Sequence, residues 1–299
     1  MDDPEVRPFK TVGETTLNLH IFRPTLPMPT GGFPAVVFLS CGGWEVFEPG
    51  QFYPQSVYLA SRGVVCLHPE LRVVPRHGTT LKECVVDAKS AIRYIRQNAH
   101  DLGVDATRVA VGGGSAGGHV TACCGLIGDL DEATEDGSIS SRPDAMILFN
   151  PVTDLMDPPF VRMFGGVGMK PWWPAFSPIN HIGAGAPPTL LVHGTDDTVT
   201  RVEPNAMHFE KAMRQAGNRC DLRLYPGVGH GFFNFGRDGN LPFLKTLREV
   251  HLFLSSLGYM EGADSVDSFD FASDEMGPVV KAALDELVDA ASSEARADK

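Results

Sequence analysis

A glycine-crowded corner at residues 108–119, Arg-Val-Ala-Val-Gly-Gly-Gly-Ser-Ala-Gly-Gly-His, limits which folds this chain can adopt. An apolar strand precedes the corner, and a helix is predicted to begin near Ala116. A serine on so sharp a strand-to-helix turn projects its hydroxyl away from the sheet, but the turn closes only if the residues two before and two after it lack bulk. Gly113 and Gly117 meet this requirement around Ser115. The segment therefore predicts a nucleophile elbow with Ser115 as the attacking group.

Predicted strands and helices alternate along most of the chain. Apolar or alternating runs predict strands at 15–23, 35–39, 64–67, in the segment before the elbow, and at 145–149, 189–192 and 221–225, the first of them at a sheet edge. Helical spacing predicts helices at 52–62, 81–95, directly after the elbow, and at 203–216 and 241–257. Alternation of this kind implies an α/β fold with a mainly parallel sheet that is covered on both faces. Ligands bind such sheets at the carboxyl ends of the strands.

The chain divides into a body and a tail. With 299 residues, 43% of them hydrophobic, it can bury one large core, so residues 1–260 are predicted to form one catalytic domain. Residues 154–188 are rich in Pro, Gly and aromatic side chains and are too long for a plain connection, so we expect a cap-like insertion there. Residues 261–299 join an acidic linker to a helix whose apolar stripe predicts packing on the body or on a partner, in the latter case as a homo-oligomer.

The charge distribution and the lengths of the apolar runs argue against nucleic acid and membrane as partners. The formal net charge is −12, but residues 261–299 hold eleven acidic and three basic side chains, so most of the charge belongs to the tail. The body has no basic stripe, which argues against nucleic-acid binding. No signal peptide is visible and no run has the ~18 apolar residues that a membrane span needs, so we expect a soluble, cytoplasmic protein without membrane contact. A secreted or periplasmic protein whose signal peptide has been removed would look the same.

The six cysteines are predicted to have a structural role and not to bind a metal ion. They lie mostly in apolar strand-like or helix-like surroundings, and their spacing does not match a metal site. We therefore expect buried free thiols and a reducing compartment.

Two later loops carry the base and the acid that a serine nucleophile needs. A serine hydroxyl is a poor nucleophile until a base takes its proton, and that base needs a carboxylate to hold its tautomer. His230 lies in a glycine-flanked loop directly after strand 221–225 and is the predicted base. The acid comes from the loop after strand 189–192, where chemistry alone does not separate Asp196 from Asp197.

Two other histidines compete with His230 for the role of base. The order Ser, Asp, His along the chain excludes both of them. His193 precedes the acid on the same loop and is expected to brace it. His119 lies one helical turn after Ser115 and is expected to pack near the site.

The tetrahedral intermediate of acyl transfer also needs N–H donors for its oxyanion. One donor is normally the amide after the nucleophile, here that of Ala116, and another comes from the loop after the third strand. Gly42 and Gly43 lie in that loop, residues 40–44, which we call the oxyanion loop, and glycine lets the backbone approach a substrate closely. These three amides are the predicted oxyanion hole, and the chemistry requires neither a metal ion nor a cofactor.

With these residues in place, the chain resembles the α/β-hydrolase esterases of the hormone-sensitive-lipase and acetyl-esterase type over residues 15–258. The segments that carry the resemblance are Gly42-Gly43-Trp44, Glu70-Leu71-Arg72, Asp87, Gly113-Gly114-Ser115-Ala116-Gly117-Gly118, Ser177-Pro178, Pro187-Pro188, His193-Gly194-Thr195-Asp196-Asp197 and His230-Gly231-Phe232. In the family's His-Gly-x-x-Asp motif the catalytic acid is the last residue, so the resemblance selects Asp197. Two positions depart from the pattern. Ser40-Cys41 replaces the His-Gly that opens the family's His-Gly-Gly-Gly-Trp loop, and Gly114 replaces an acidic residue before the nucleophile.

Among the subfamilies, the chain is most similar to carbohydrate acetylesterases, including acetylxylan-esterase-like enzymes. This resemblance implies a serine carboxylesterase that removes short acyl groups, above all acetyl, from a sugar or an oligosaccharide such as xylan. Trp44, at the end of the oxyanion loop, is expected to narrow the acyl pocket, and Trp172 and Trp173 are expected either to stack on a sugar ring or to pack within the protein. The alternatives are a generalist short-chain esterase, a lipase-like enzyme or an amidase with the same triad and, in another class, a catalytically silent binding module.

Overall fold

The computed structural model describes residues 2–157 and 173–297, and eight strands among these residues form one sheet. The strands are β1 (Glu5–Val12), β2 (Thr15–Phe22), β3 (Phe33–Leu39), β4 (Val65–Pro69), β5 (Val104–Gly114), β6 (Ala145–Phe149), β7 (Thr189–Gly194) and β8 (Cys220–Tyr225). Their spatial order is β1-β2-β4-β3-β5-β6-β7-β8. β2 pairs antiparallel with β1 and β4, and the pairs from β4 to β8 are parallel. The predicted α/β-hydrolase fold with a mainly parallel sheet is confirmed.

Helices cover both faces of this sheet. The longer ones in the described part of the chain are α1 (Tyr53–Ser61), α2 (Leu81–Gln97), α3 (Ala116–Leu126), α4 (His208–Gln215), α5 (Leu241–Ser256) and α6 (Pro278–Ala297). Helices α2, α3 and α4 pack on one face, and α1, α5 and α6 pack on the other. β3 supplies both cores, because Ala35 and Val37 face the first set of helices and Val36 and Phe38 face the second. A strand buried on both faces accounts for the unbroken apolar run at 35–39.

One edge of the sheet differs from the expectation. The prediction that residues 15–23 form an edge strand is wrong, because β1 pairs with β2 on its outer side. β1 contains Pro8, and none of its eight residues is buried; four are exposed, among them Val6 at 53%. Proline lacks an N–H and is tolerated in an edge strand. A strand with so little burial has no apolar pattern from which it could be predicted.

The tail packs on the body of the same chain. Val266, Val280 and Leu284 are buried in the core beneath α1 and α5. The carboxylate of Asp3 accepts the N–H groups of Val279 and Val280 at 2.9 and 3.1 Å, so the N-terminal segment caps the first turn of α6. The structure thus buries Met276, Val280 and Leu284 of the apolar stripe against this chain and leaves Val279 and Val288 exposed. Assembly through the stripe stays a prediction.

The predicted cap-like insertion at 154–188 falls partly outside the described residues. The described part includes two short 3₁₀ turns, Trp173–Phe176 and Pro178–His181. Residues 158–172, with Trp172 among them, are not described, so the cap stays a prediction.

All six cysteines are buried and free, as expected from the sequence. The two ranges that the structure describes contain no helix with the length and apolar character needed to cross a membrane.

Two segments that carry the family resemblance meet behind the oxyanion loop. Arg72 donates two hydrogen bonds of 2.8 Å to the buried carboxylate of Asp87 on α2, and Lys10 of β1 contacts the same carboxylate at 2.8 Å. Two residues after Arg72, the same segment contacts the oxyanion loop: the N–H of Val74 donates to the carbonyl of Trp44 at 2.9 Å. A buried carboxylate with two cationic partners fixes the positions of those partners, here Arg72 and Lys10. Through the segment of Arg72 and Val74, this network supports the end of the oxyanion loop at Trp44.

Candidate active site

The sharp corner after β5 has the geometry of a nucleophile elbow. Ser115 has φ 54° and ψ −118°, a conformation that is strained for a residue with a side chain. A Cβ atom on Gly113 would lie 2.5 Å from the backbone of Gly117, and one on Gly117 would lie 2.0 Å from the carbonyl oxygen of Leu39. The two glycines are therefore required for the turn to close, as the sequence predicts.

Gly117→Ala is expected to destabilise the protein by about 3 kcal/mol or more, because the new methyl group overlaps backbone atoms that no rotamer change can move away. Urea unfolding measures the change. Gly137→Ala is the matched control, because Gly137 is exposed and its added Cβ would meet nothing within 4 Å. A Gly117→Ala variant with the stability of this control would contradict the close approach of β3 and α3.

The glycine that replaces the family's acidic residue before the nucleophile has a packing reason. A Cβ atom on Gly114 would lie 2.3 Å from Cζ of Phe233. Phe233 is buried and stacks on Phe149 at the end of β6. The aromatic ring occupies the space that a larger residue at position 114 would need.

The structure brings Ser115, His230 and Asp197 together at the carboxyl ends of β5, β8 and β7. Nε2 of His230 lies 3.0 Å from Oγ of Ser115, and Nδ1 of His230 lies 2.8 Å from Oδ2 of Asp197. Asp196 is exposed and its side chain accepts from Thr195 instead. This arrangement can pass a proton from a serine hydroxyl to an imidazole whose other nitrogen is held by a carboxylate.

The carboxylate of Asp197 is held by more partners than the sequence predicts. It is 4% exposed and accepts from the N–H groups of Val199 and Thr200 and from the hydroxyl of Thr200, at 2.8–2.9 Å. Burial alone would raise the pKa of Asp197, but the hydrogen bond and charge of His230, with the Thr200 amide, leave it below its ordinary value. Sequence reasoning missed Thr200, although its position three residues after the acid in the same loop is a usable signal.

The two competing histidines take the structural roles expected of them. Nε2 of His193 donates to the carbonyl of Thr200 at 2.6 Å, so His193 braces the loop of the acid. His119 donates from Nε2 to the carbonyl of Phe176 and accepts from Nε1 of Trp44. Burial lowers the pKa of His119 to about 4, which keeps it neutral. No group of three or more His, Cys, Asp or Glu side chains that could hold a metal ion occurs in the described ranges.

The oxyanion loop requires one correction to the predicted oxyanion hole. The N–H of Gly42 donates to the carbonyl of Val46 at 3.0 Å, inside a tight turn, so it is not available to a substrate. The N–H groups of Gly43 and Ala116 have no acceptor among the described residues. The turn gives Gly43 a φ of 58°, which suits glycine. The structure therefore leaves Gly43 and Ala116 as the candidate donors.

The predicted substrate-binding tryptophans differ in how much the structure says about them. Trp44 is 6% exposed, and its indole packs edge-on against His119 with ring centroids 5.3 Å apart. Trp173 is 8% exposed and lies in the same apolar core. Trp172 lies outside the described residues, so contact of these tryptophans with a substrate stays a prediction.

Sequence reasoning also missed an arginine beside His230. Nη1 of Arg237 donates to the carbonyl of His230 at 2.9 Å, and the same guanidinium pairs with Glu294 of α6. Arg237 and Glu294 are 57 positions apart in the chain and belong to no shared motif, so only the fold brings them together.

Two family models match the chain. The BD-FAE model covers residues 19–211, and the model of the dienelactone hydrolase family covers residues 167–260. Among curated relatives, esterase LipC of Mycobacterium tuberculosis is 31% identical over 222 residues, which are 69% of this chain and 54% of LipC. The acetylxylan esterase of Xylanibacter ruminicola is 26% identical over 207 residues, 66% of this chain and 41% of that protein. The chain spans about half the length of the curated relatives it matches.

A solved structure agrees with the fold and with the sequence comparison. Esterase 2 of Thermogutta terrifontis superposes with a TM-score of 0.81 at 42% identity, over 87% of this chain and 97% of the esterase. The BD-FAE model alone covers more than half of the chain. This chain therefore belongs to the BD-FAE family, among the esterases of the α/β-hydrolase fold.

Proposed function

We propose that the protein is a serine carboxylesterase that removes short acyl groups, acetyl above all, from esters of a carbohydrate such as xylan or its oligosaccharides. The observation that carries this proposal is the chain of contacts from Ser115 through His230 to Asp197, at 3.0 and 2.8 Å. All three side chains of the triad are present and in reach of one another. A silent binding module of this fold would have no need to keep that arrangement.

In the proposed reaction, the hydroxyl of Ser115 attacks the ester carbonyl while Nε2 of His230 takes its proton. The N–H groups of Gly43 and Ala116 stabilise the oxyanion. His230 then returns the proton to the oxygen of the departing alcohol, and the acyl group stays on Ser115. Water attacks this acyl-enzyme with His230 as base, which releases the carboxylic acid and restores the serine. Asp197 holds the tautomer of His230 and stabilises the imidazolium in both steps.

Named relatives support the short acyl group. Structures of the Thermogutta terrifontis esterase have been described with propionate and with butyrate bound. An ethyl acetate hydrolase of Pseudomonas putida is 25% identical over 242 residues. The acetylxylan esterase named above supports a carbohydrate substrate in particular. In this chain, Trp44 ends the oxyanion loop and its ring is buried against His119. We infer that this ring limits the length of acyl chain that the site accepts.

We expect kcat/KM for p-nitrophenyl esters to fall from acetate through butyrate to octanoate, by at least about tenfold over the series. Long chains would have to displace Trp44, which packs on His119 one helical turn after Ser115. Initial rates on the three esters test this, and Trp44→Ala should flatten the series. A wild-type preference for octanoate would overturn the acetyl assignment and leave the serine mechanism standing.

A further inference from the structure

The C-terminal helix α6 packs against the loop that follows His230. A Cβ atom on Gly236 would lie 2.9 Å from Cα of Val288, so loop and helix are in direct contact. The next residue, Arg237, pairs with Glu294 of α6 and donates to the carbonyl of His230. The helix therefore forms part of the wall beside His230.

Two cavities adjoin the ion pair of Arg237 and Glu294, and both also touch Ala291 of α6. The first has a volume of about 170 Å³ and reaches the oxyanion loop at Gly42. The second has a volume of about 310 Å³ and reaches His230. Together they lie between α6 and two loops that take part in the proposed reaction.

A buried hydroxyl without a protein partner lines the first cavity. Ser40 is 1% exposed, and its Oγ has no hydrogen-bond partner within the described ranges. An unpaired buried hydroxyl costs free energy, so a polar group that enters this cavity gains a partner there. Gln51 lines the same cavity and donates from Nε2 to Oδ1 of Asn234 at 3.1 Å. Each amide has a second polar atom, Oε1 of Gln51 and Nδ2 of Asn234, that is able to form further hydrogen bonds.

The position of His230 decides which half of an ester these cavities would hold. In acyl transfer the departing alcohol takes its proton from the base, so the alcohol lies on the His230 side of Ser115. The second cavity touches His230, whereas the buried ring of Trp44 packs on His119. An alcohol with several hydroxyl groups would pair with the polar lining, and an apolar alcohol would leave it unsatisfied.

We infer that the two cavities form an alcohol subsite for a sugar ring or another polyol that carries the ester. The inference rests on the proposed esterase function and adds the residues that distinguish a sugar ester from an aryl ester. The first cavity has the volume of about six water molecules at ~30 Å³ each, so it holds a single small ring with its hydroxyl groups. The tail, through α6, is then part of the specificity of the enzyme.

The test compares a monoacetylated methyl xyloside with p-nitrophenyl acetate, because the two esters share the acyl group and differ in the alcohol. In Gln51→Leu we expect the ratio of kcat/KM on the xyloside to kcat/KM on the aryl ester to fall about tenfold, through KM on the xyloside. In Ser40→Ala the same ratio should fall about fivefold, while the Tm stays at or above that of the wild type, because the hydroxyl has no protein partner to lose. Gln215→Leu changes an exposed glutamine at the end of α4 and should leave the ratio unchanged.

The outcomes separate this inference from the function on which it rests. If the ratio of the two kcat/KM values is unchanged in both variants, whether or not activity on both esters falls, the alcohol subsite is overturned and the esterase function stays intact. A wild-type protein that hydrolyses neither ester would overturn the proposed function and the subsite with it.

Discussion

Ser115→Ala is expected to lower kcat on p-nitrophenyl acetate by about 10⁶-fold. Oγ of Ser115 lies 3.0 Å from Nε2 of His230, and alanine removes the atom that would form the acyl-enzyme. The substitution leaves the oxyanion donors and substrate binding, which together retain a residual acceleration of about 10³–10⁴ over water. The fold should be unaffected, because a methyl group fits wherever the serine side chain fits.

Two measurements check this result. Initial rates give the loss of kcat, and labelling with a fluorophosphonate followed by mass spectrometry reports whether an activated nucleophile is present. An organophosphorus probe reacts with the hydroxyl of an activated serine, so it tests the proposed role of Ser115 directly. Ser138→Ala is the matched control, because Ser138 is exposed and is expected to affect neither readout. Labelling and activity that survive in Ser115→Ala would show that another residue is the nucleophile.

Much of the fold is predictable because the buried strands are short, apolar and separated by amphipathic helices. β6 begins and ends where the apolar run at 145–149 predicts, and α2 has its predicted apolar face. α2 also begins at a capping box in which the side chains of Thr80 and Glu83 bond each other's backbone N–H groups. β1 was missed because an exposed edge strand needs no apolar residues, and its pairing with β2 is decided by backbone hydrogen bonds.

The site divides in the same way between local and long-range information. The elbow at Ser115 is local, since steric demands within a few residues require Gly113 and Gly117. The engagement of the Gly42 amide is not visible in the sequence, because it depends on a turn that closes onto Val46. A glycine in the sequence permits a close approach of the backbone, but it does not tell which atom its N–H meets.

The contribution of the tail to the site lies furthest from what a sequence pattern can show. The stripe in residues 261–299 indicates an apolar helix face, and the same stripe would serve a body contact or a second copy of the chain. The choice follows from three-dimensional complementarity, here the contact of Gly236 with Val288 and the pairing of Arg237 with Glu294. No motif links position 237 to position 294.

Asp197→Asn is expected to lower kcat by about 10⁴-fold with little change in KM. The carboxylate accepts from Nδ1 of His230 at 2.8 Å and so leaves Nε2 free to take the proton of Ser115. An asparagine amide at this position donates to Nδ1 instead, which places the imidazole proton on Nε2, where it blocks that transfer.

The carboxylate of Asp197 also holds its charge in mild acid, because the pKa of Asp197 lies below its ordinary value of about 3.9. Activity lost between pH 7 and pH 5 is therefore not expected to come from protonation of Asp197.

The adjacent residue provides the control for this prediction. Asp196→Asn makes the same chemical change one position earlier, on a side chain that is exposed and bonded only to Thr195 in the described structure. We expect this variant to keep kcat within about twofold of the wild type, since exposed substitutions away from the reacting atoms have small effects. Both variants should be compared by kcat, KM and Tm, so that a loss of activity is not confused with a loss of folding. If Asp196→Asn were the inactive variant and Asp197→Asn retained activity, the assignment of the acid would be reversed, and the hydrogen bond of Asp197 to His230 would have to be judged structural.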